Sequence, residues 1–215
     1  ATNPRYDVDG WESPKTALEV SMRDRPFIVD SISHELKRMG LELQFLVHPI
    51  IKFQRDKDGQ LKKEFDGPDS VAEVYELFLV ERVPDEQLPE LERRVRSVLE
   101  DVRVATDDYP ALRQQVDAIC KRLSHLAEKH EAEGSVAQMK ECEHFLRWLD
   151  NHHFVFLGYR EYDIQEAGGV RTLQVTPGNG LGILSDISNS KYESPVPFDQ
   201  ASENLRERVT GGPPI

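Results

Sequence analysis

The residues best suited to chemistry lie at the head of one amphipathic stretch. Met22-Arg23-Asp24-Arg25-Pro26-Phe27 leads into apolar residues at helical spacing, Ile28, Ile32, Leu36 and Met39, and Gly40 stops the run. A helix opening near Pro26 offers free backbone N–H groups to an anion. Arg23 or Arg25 would add a charge-assisted contact to a carboxylate, while Asp24 or Asp30 would accept an ammonium. Arg23, Asp24, Arg25, Phe27 and Asp30 are therefore the candidate site, either for a zwitterion or, with Phe27 as an apolar anchor, for pairing with another protein surface.

Other motifs fall short of the chemistry they suggest. Gly178-Asn179-Gly180-Leu181-Gly182 follows a strand-like segment, but a dinucleotide loop needs its third glycine where Ile183 stands, and no capped amphipathic helix follows. It reads as a turn between strands. Glu141-x-x-His144 with His152-His153 is half of a di-iron motif whose second copy is missing. His34, His48, His125 and His130 have no zinc-like spacing with cysteine, and read as surface or hydrogen-bonded core residues. Ser31 and Ser33 beside His34 lack an orienting acid and a nucleophile elbow. Asp107-Asp108 reads as a solvated turn or helix cap. No catalytic, cofactor-binding or metal residue is assigned.

The elements that must position the site follow from periodicity. Leu18, Val20 and Met22 alternate with Glu19 and Ser21, so a strand precedes the helix expected over Pro26–Met39. Two more alternating strands, Leu41 to Phe53 and Val71 to Arg82, flank a turn-rich linker with Asp58-Gly59 and Asp66-Gly67-Pro68. Pro49 cannot donate to a ladder and belongs at an edge or bulge. A helix over Asp85–Val104 carries Leu88, Leu91, Val95, Val98 and Val102. The order β-α-β-β-α is five-sixths of a ferredoxin-like unit, the plan of small amino-acid-sensing ACT domains. Pro110 opens another helix, striped by Leu112, Val116, Ile119, Leu123 and Leu126, and a third runs from Val136 to about Leu149. From His153 the period returns to two, with apolar residues on both faces, so a strand covered on both sides is expected. Val170 to Thr176 supplies another strand after Gly168-Gly169. From Ser185 onward a partly disordered tail is expected, with a short helix near Glu203 to Val209.

Composition excludes several classes. With 215 residues the chain can bury a core in one or two domains. A net charge of −12 repels a phosphate backbone, and the Arg93, Arg94 and Arg96 cluster is ringed by acids, so nucleic acid is not an expected partner. No apolar run is long enough to span a bilayer. Cys120 and Cys142 fall on or beside helical stripes and are expected to be free buried thiols in a reducing cytosol. No signal-peptide pattern is present, and both ends, Ala1 and Gly211-Gly212-Pro213-Pro214-Ile215, read as cuts within a longer chain.

Several blocks together carry a resemblance. Gly10-Trp11-Glu12-Ser13-Pro14, Arg25-Pro26-Phe27-Ile28-Val29-Asp30-Ser31, His48-Pro49, and Trp148-Leu149-Asp150-Asn151-His152-His153-Phe154-Val155-Phe156-Leu157-Gly158-Tyr159-Arg160-Glu161-Tyr162 resemble the amino-terminal portion of the large bacterial NAD-dependent glutamate dehydrogenases. The likeness runs from Gly10 to about Asp186. It implies a cytoplasmic, non-catalytic regulatory and oligomerisation segment. NAD would bind elsewhere in the parent, which oxidatively deaminates L-glutamate to 2-oxoglutarate and ammonia. Implied partners are the catalytic domain of the same chain, further copies of the protein, and a candidate amino-acid effector at the turn. Effector-binding ACT domains carry a glycine there, where this chain has Pro26-Phe27, which favours domain pairing. The alternative is an independent amino-acid-sensing module.

The fold class expected is α+β. It comprises an N-terminal arm (1–15), an ACT-like domain (16–106), a helical segment (107–151), the start of a second, mostly β domain (152–184), which the resemblance implies is PAS-like, and an irregular tail (185–215).

Overall fold

A computed structural model describes residues 1–62, 70–129 and 133–211. The expected turn at Asp66-Gly67-Pro68, His130 and the chain end from Gly212 lie outside the described residues. The chain divides into two units, Ala1–Val102 and the residues from Arg103 onward.

The first unit opens with an arm containing one helical turn, α1 (Tyr6–Asp9), followed by β1 (Thr16–Arg23), α2 (Ile28–Arg38), β2 (Leu43–Val47), β3 (Ile50–Phe53) and β4 (Val71–Val80). A 3-10 turn, Asp85–Gln87, then leads into α3 (Leu88–Asp107). Every pairing in the sheet is antiparallel, and β4 lies at its centre. Residues Thr16 to Arg23 of β1 pair with Val80 to Glu73 on one side. On the other, β2 pairs with Leu77 to Val80 and β3 with Val71 to Val74. β2 and β3 are thus one strand broken at His48-Pro49. Proline has no N–H to give, but its carbonyl still accepts from Tyr75 N at 3.0 Å, so the central strand keeps that bond across the break.

Alternation along the strands divides the sheet into two faces. Leu18, Val20, Val74, Phe78 and Val80 are buried with Ile28, Ile32 and Leu36 of α2 and with Leu91, Val95 and Val102 of α3 in one core. Both helices therefore cover the same face. Glu35 crosses between them, accepting from Arg38 Nη1 at 3.0 Å and Arg94 Nε at 2.5 Å. The arm is anchored by Thr16, whose hydroxyl donates to Asn3 Oδ1 at 2.6 Å and accepts from Val83 N at 2.8 Å. The opposite face keeps Phe45, Val47, Ile51 and Tyr75 exposed.

In the second unit α4 (Tyr109–Lys129) and α5 (Glu133–Trp148) form a helical hairpin. Leu123, Ala127 and Met139 are its buried centre. Arg113 clasps Asp150 at 2.7 and 2.9 Å, and Ser124 donates to Glu143 at 2.7 Å, contacts that require the helices to run antiparallel. Two small sheets follow: β5 (Gly158–Tyr159) with β8 (Leu181–Gly182), and β6 (Tyr162–Ala167) with β7 (Val170–Val175) and β9 (Val196–Pro197). The last helix is α6 (Glu203–Gly211). No helix among the described residues is long and apolar enough to cross a membrane.

Two expectations are corrected. Residues from His153 do not form a strand covered on both faces. α5 runs into a π-type turn (Leu149–His153) with His152 at φ 61°, Phe154 is 58% exposed, Val155 and Leu157 are also exposed, and pairing resumes only at Gly158. Cys142 is exposed and Cys120 alone is buried, because the α5 stripe facing α4 runs through Met139 and Leu146. In the segment after Ser185, Phe198 and Ala201 are buried, Ser202 N donates to the Tyr192 hydroxyl at 2.8 Å, and the short helix expected near Glu203 to Val209 is α6.

Candidate functional site

The turn between β1 and α2 gathers the five sequence candidates. Arg23 ends β1, with its side chain exposed, directly across from Glu73 in register. Asp24 donates its N–H to Ala72 O at 2.9 Å, so the turn leaves the sheet from a paired position. Arg25 is half-buried; Asp30, in the first turn of α2, is exposed, and its carbonyl lies 2.8 Å from His34 Nδ1. Phe27 is the N-cap residue, at φ 74°, ψ 3°, with its ring 45% exposed and its carbonyl accepting from Ser31 N at 3.0 Å. A left-handed backbone on a bulky residue is uncommon and costs on the order of 1 kcal/mol or more. The turn thus has the conformation glycine adopts most easily while carrying an aromatic ring. No side chain caps α2, so its first N–H groups have no capping partner there.

The sequence reading missed the acid near this turn. Glu76 sits on β4 at 2% exposure, with Oε1 2.7 Å from His48 Nδ1 and Oε2 without a hydrogen-bond partner among the described residues. Burial pushes its carboxyl above the ordinary value; His48 pulls the other way, and the Asp24 charge adds a smaller upward push. Its signal was available in parity. Val74, Phe78 and Val80 fill the helix-covered face, and Glu76 shares their even spacing. His48, read as a surface or hydrogen-bonded core residue, is tied to that acid. On the opposite face Glu73 is gripped by Arg55 at 2.5 and 2.6 Å, which holds its carboxyl below the usual range.

The remaining sequence motifs are not brought together. Gly180 and Gly182 make room for the chain's own groups, while Gly178 stands in open space at φ +79°. A Cβ on Gly180 would meet the Arg160 guanidinium and Leu184 O, and one on Gly182, at φ +59°, would meet Leu157 O. Arg160 Nη2 donates to that Leu184 carbonyl. Asp108 Oδ2 accepts from Gly182 N at 2.7 Å, and Asp107 pairs with Arg103. Glu141 and His144 are exposed on α5; His153 stacks on Trp148 at 4.2 Å. No group of three metal-ligating side chains converges among the described residues.

Comparison with known proteins bears on both units. Residues 1–95 match the family described as "Glutamate dehydrogenase, ACT1 domain". The chain is 28% identical over 206 residues to the NAD-specific glutamate dehydrogenase of Halomonas elongata, covering 94% of this chain and 12% of that protein. It is 34% identical over 175 residues to the enzyme of the same name from Pseudomonas aeruginosa, covering 79% and 11%. It is 26% identical over 196 residues to that of Mycobacterium tuberculosis, covering 86% and 11%. The chain therefore spans only about a ninth of the length of these curated relatives.

Proposed function

From the match of residues 1–95 to the ACT1-domain family of glutamate dehydrogenases, we propose that this chain is a non-catalytic regulatory and association segment of an NAD-dependent glutamate dehydrogenase. The parent would convert L-glutamate, NAD and water to 2-oxoglutarate, ammonia and NADH, with NAD bound elsewhere in its chain. The observation that carries the proposal is the match of residues 1–95 to that domain on a β-α-β-β-α sheet unit whose turn offers Arg23, Arg25, Asp24 and Asp30 at an uncapped helix start. By the same resemblance, residues 152–184, which follow the helical hairpin, are the start of a second, PAS-like domain. The site of action is the cytoplasm.

An independent amino-acid-sensing module is the second reading, favoured by the unsatisfied buried oxygen of Glu76 near the turn. One pair of measurements tests both. Purified chain given L-glutamate and NAD should form no NADH; turnover would overturn the proposal. A thermal-shift screen against amino acids reads effector binding, since a ligand held only by the folded state raises the melting temperature. A saturable shift on the chain by itself favours the sensing module.

A further inference from the structure

In the second unit the tip of the β6–β7 hairpin walls an open cleft of about 640 Å³, closed on its other sides by a 3-10 turn, Phe198–Gln200, and by α6. Strand pairing decides what meets there. Pro197 of β9 pairs with Thr172 of β7, so the next residue, Phe198, comes beside Arg171. Phe198 is 4% exposed, and the Arg171 guanidinium lies over its ring, 4.5 Å from the centre. That contact holds the cation through the ring quadrupole without engaging a hydrogen-bond acceptor. Glu166 stands opposite Arg171 in the β6–β7 register but forms no ion pair with it, and no acceptor among the described residues takes one of its five N–H groups. Arg171 is thus a cation fixed in place with its donors unengaged. Arg206 of α6 lines the same cleft, as do Asp199 and Gln200. At Gly169, φ +80°, a Cβ would meet nothing within 4 Å, so the hairpin tip leaves the mouth open.

We infer that this cleft binds a small hydroxylated organic anion, its phosphate or carboxylate held between Arg171 and Arg206 and a hydroxyl donating to Asp199 or Gln200. The planar fork of a guanidinium matches two oxygens of either anion. One carboxylate beside two guanidiniums leaves the lining net positive, whereas the whole chain carries −12. The cleft therefore reverses the field that surrounds it, and an anion gains there what the rest of the surface denies it. Asp199 sets the selectivity. It repels an anion with nothing to donate, so a ligand with hydroxyls in reach is favoured over bare phosphate. The size of the cleft suits a ligand on the scale of a sugar phosphate or a sugar acid. None of these residues belongs to the turn between β1 and α2, so the site is a second one, separate from the candidate effector turn of the first unit.

The experiment is a titration of the purified chain with ribose 5-phosphate, gluconate and inorganic phosphate, read by calorimetry and by the amide NMR signals of Gly169 and Gln200. At least one of the two hydroxylated anions should bind saturably, move both signals, and bind more tightly than inorganic phosphate. Which of them binds more tightly identifies the anionic group as phosphate or carboxylate. Arg171→Met keeps an apolar stem against Phe198 and removes the charge, and should weaken binding about tenfold or more. Arg206→Gln changes an exposed position on α6 and should weaken binding with circular dichroism unchanged, which decides the matter if Arg171→Met fails to fold. Arg171→Lys keeps the charge without the fork and should bind less tightly than the wild type. No saturable binding of either hydroxylated anion at millimolar concentration overturns the inference. So does binding that is indifferent to both Arg171→Met and Arg206→Gln, or inorganic phosphate that binds as tightly as either hydroxylated anion.

Discussion

Leu36→Ala is the most direct test of the first unit. Leu36 is 0% exposed, in a core shared with Ile28, Ile32, Phe78 and Leu91, so its side chain spans the contact between α2, the sheet and α3. Losing three carbons forfeits ~2.4 kcal/mol at ~0.8 kcal/mol per buried methylene. If the site only partly collapses, a residual void of ~50 Å³ adds ~1.2 kcal/mol at ~24 cal/mol per Å³. The total, ~3.6 kcal/mol, is a large part of the stability of a small unit. Lys37→Ala, one position along the same helix and exposed, should shift stability by no more than about 0.5 kcal/mol. Because the chain has two units, a single unfolding curve need not report on one of them. Urea-dependent hydrogen exchange of the β4 amides isolates the first. A loss below about 1 kcal/mol for Leu36→Ala, or equal losses for the two variants, would refute the packing of α2 on this sheet.

Glu76→Gln tests the buried acid. A carboxyl whose folded pKa is raised contributes stability that is complete below its ordinary value of 4.5 and is lost as pH rises through the folded value. Glutamine stays neutral, so the variant's melting temperature relative to wild type should rise between pH 4.5 and 8; a difference that is flat or falls would refute the assignment. Gly182→Ala forces a side chain against Leu157 O in a left-handed backbone and should destabilise the second unit by about 1–3 kcal/mol, read by exchange in β5 and β8. An unchanged profile would remove the packing account of the glycine-rich loop. Maleimide should label Cys142 in the native chain and reach Cys120, whose thiol burial pushes up in pKa, only on unfolding; two rapid equivalents would show α4 and α5 are not packed as described.

Periodicity was enough to place the strands and helices of the first unit, because each has one buried face and the alternation of Leu18, Val20, Val74 and Phe78 records it. Pro49, expected at an edge or bulge because it has no N–H to donate, lies where the strand breaks into β2 and β3. Periodicity could not show that β2 and β3 share one side of β4, which depends on long-range register. The same signal misled at Phe154 to Leu157. A run apolar at every position reads as a doubly covered strand, yet no ladder forms there, and the left-handed His152 turns the chain as the aromatic rings of Trp148 and His153 stack. In the tail, Ser, Asn and Pro content hid single anchors such as the buried Phe198 and the Tyr192 hydroxyl, which accepts from Ser202 N. The residues of the candidate turn could be named from their charges at a helix start, and the structure places them at the junction of β1 and α2. Glu76 could not, because one acid among many in a charged sequence stands out only when its parity is compared with its neighbours on the strand.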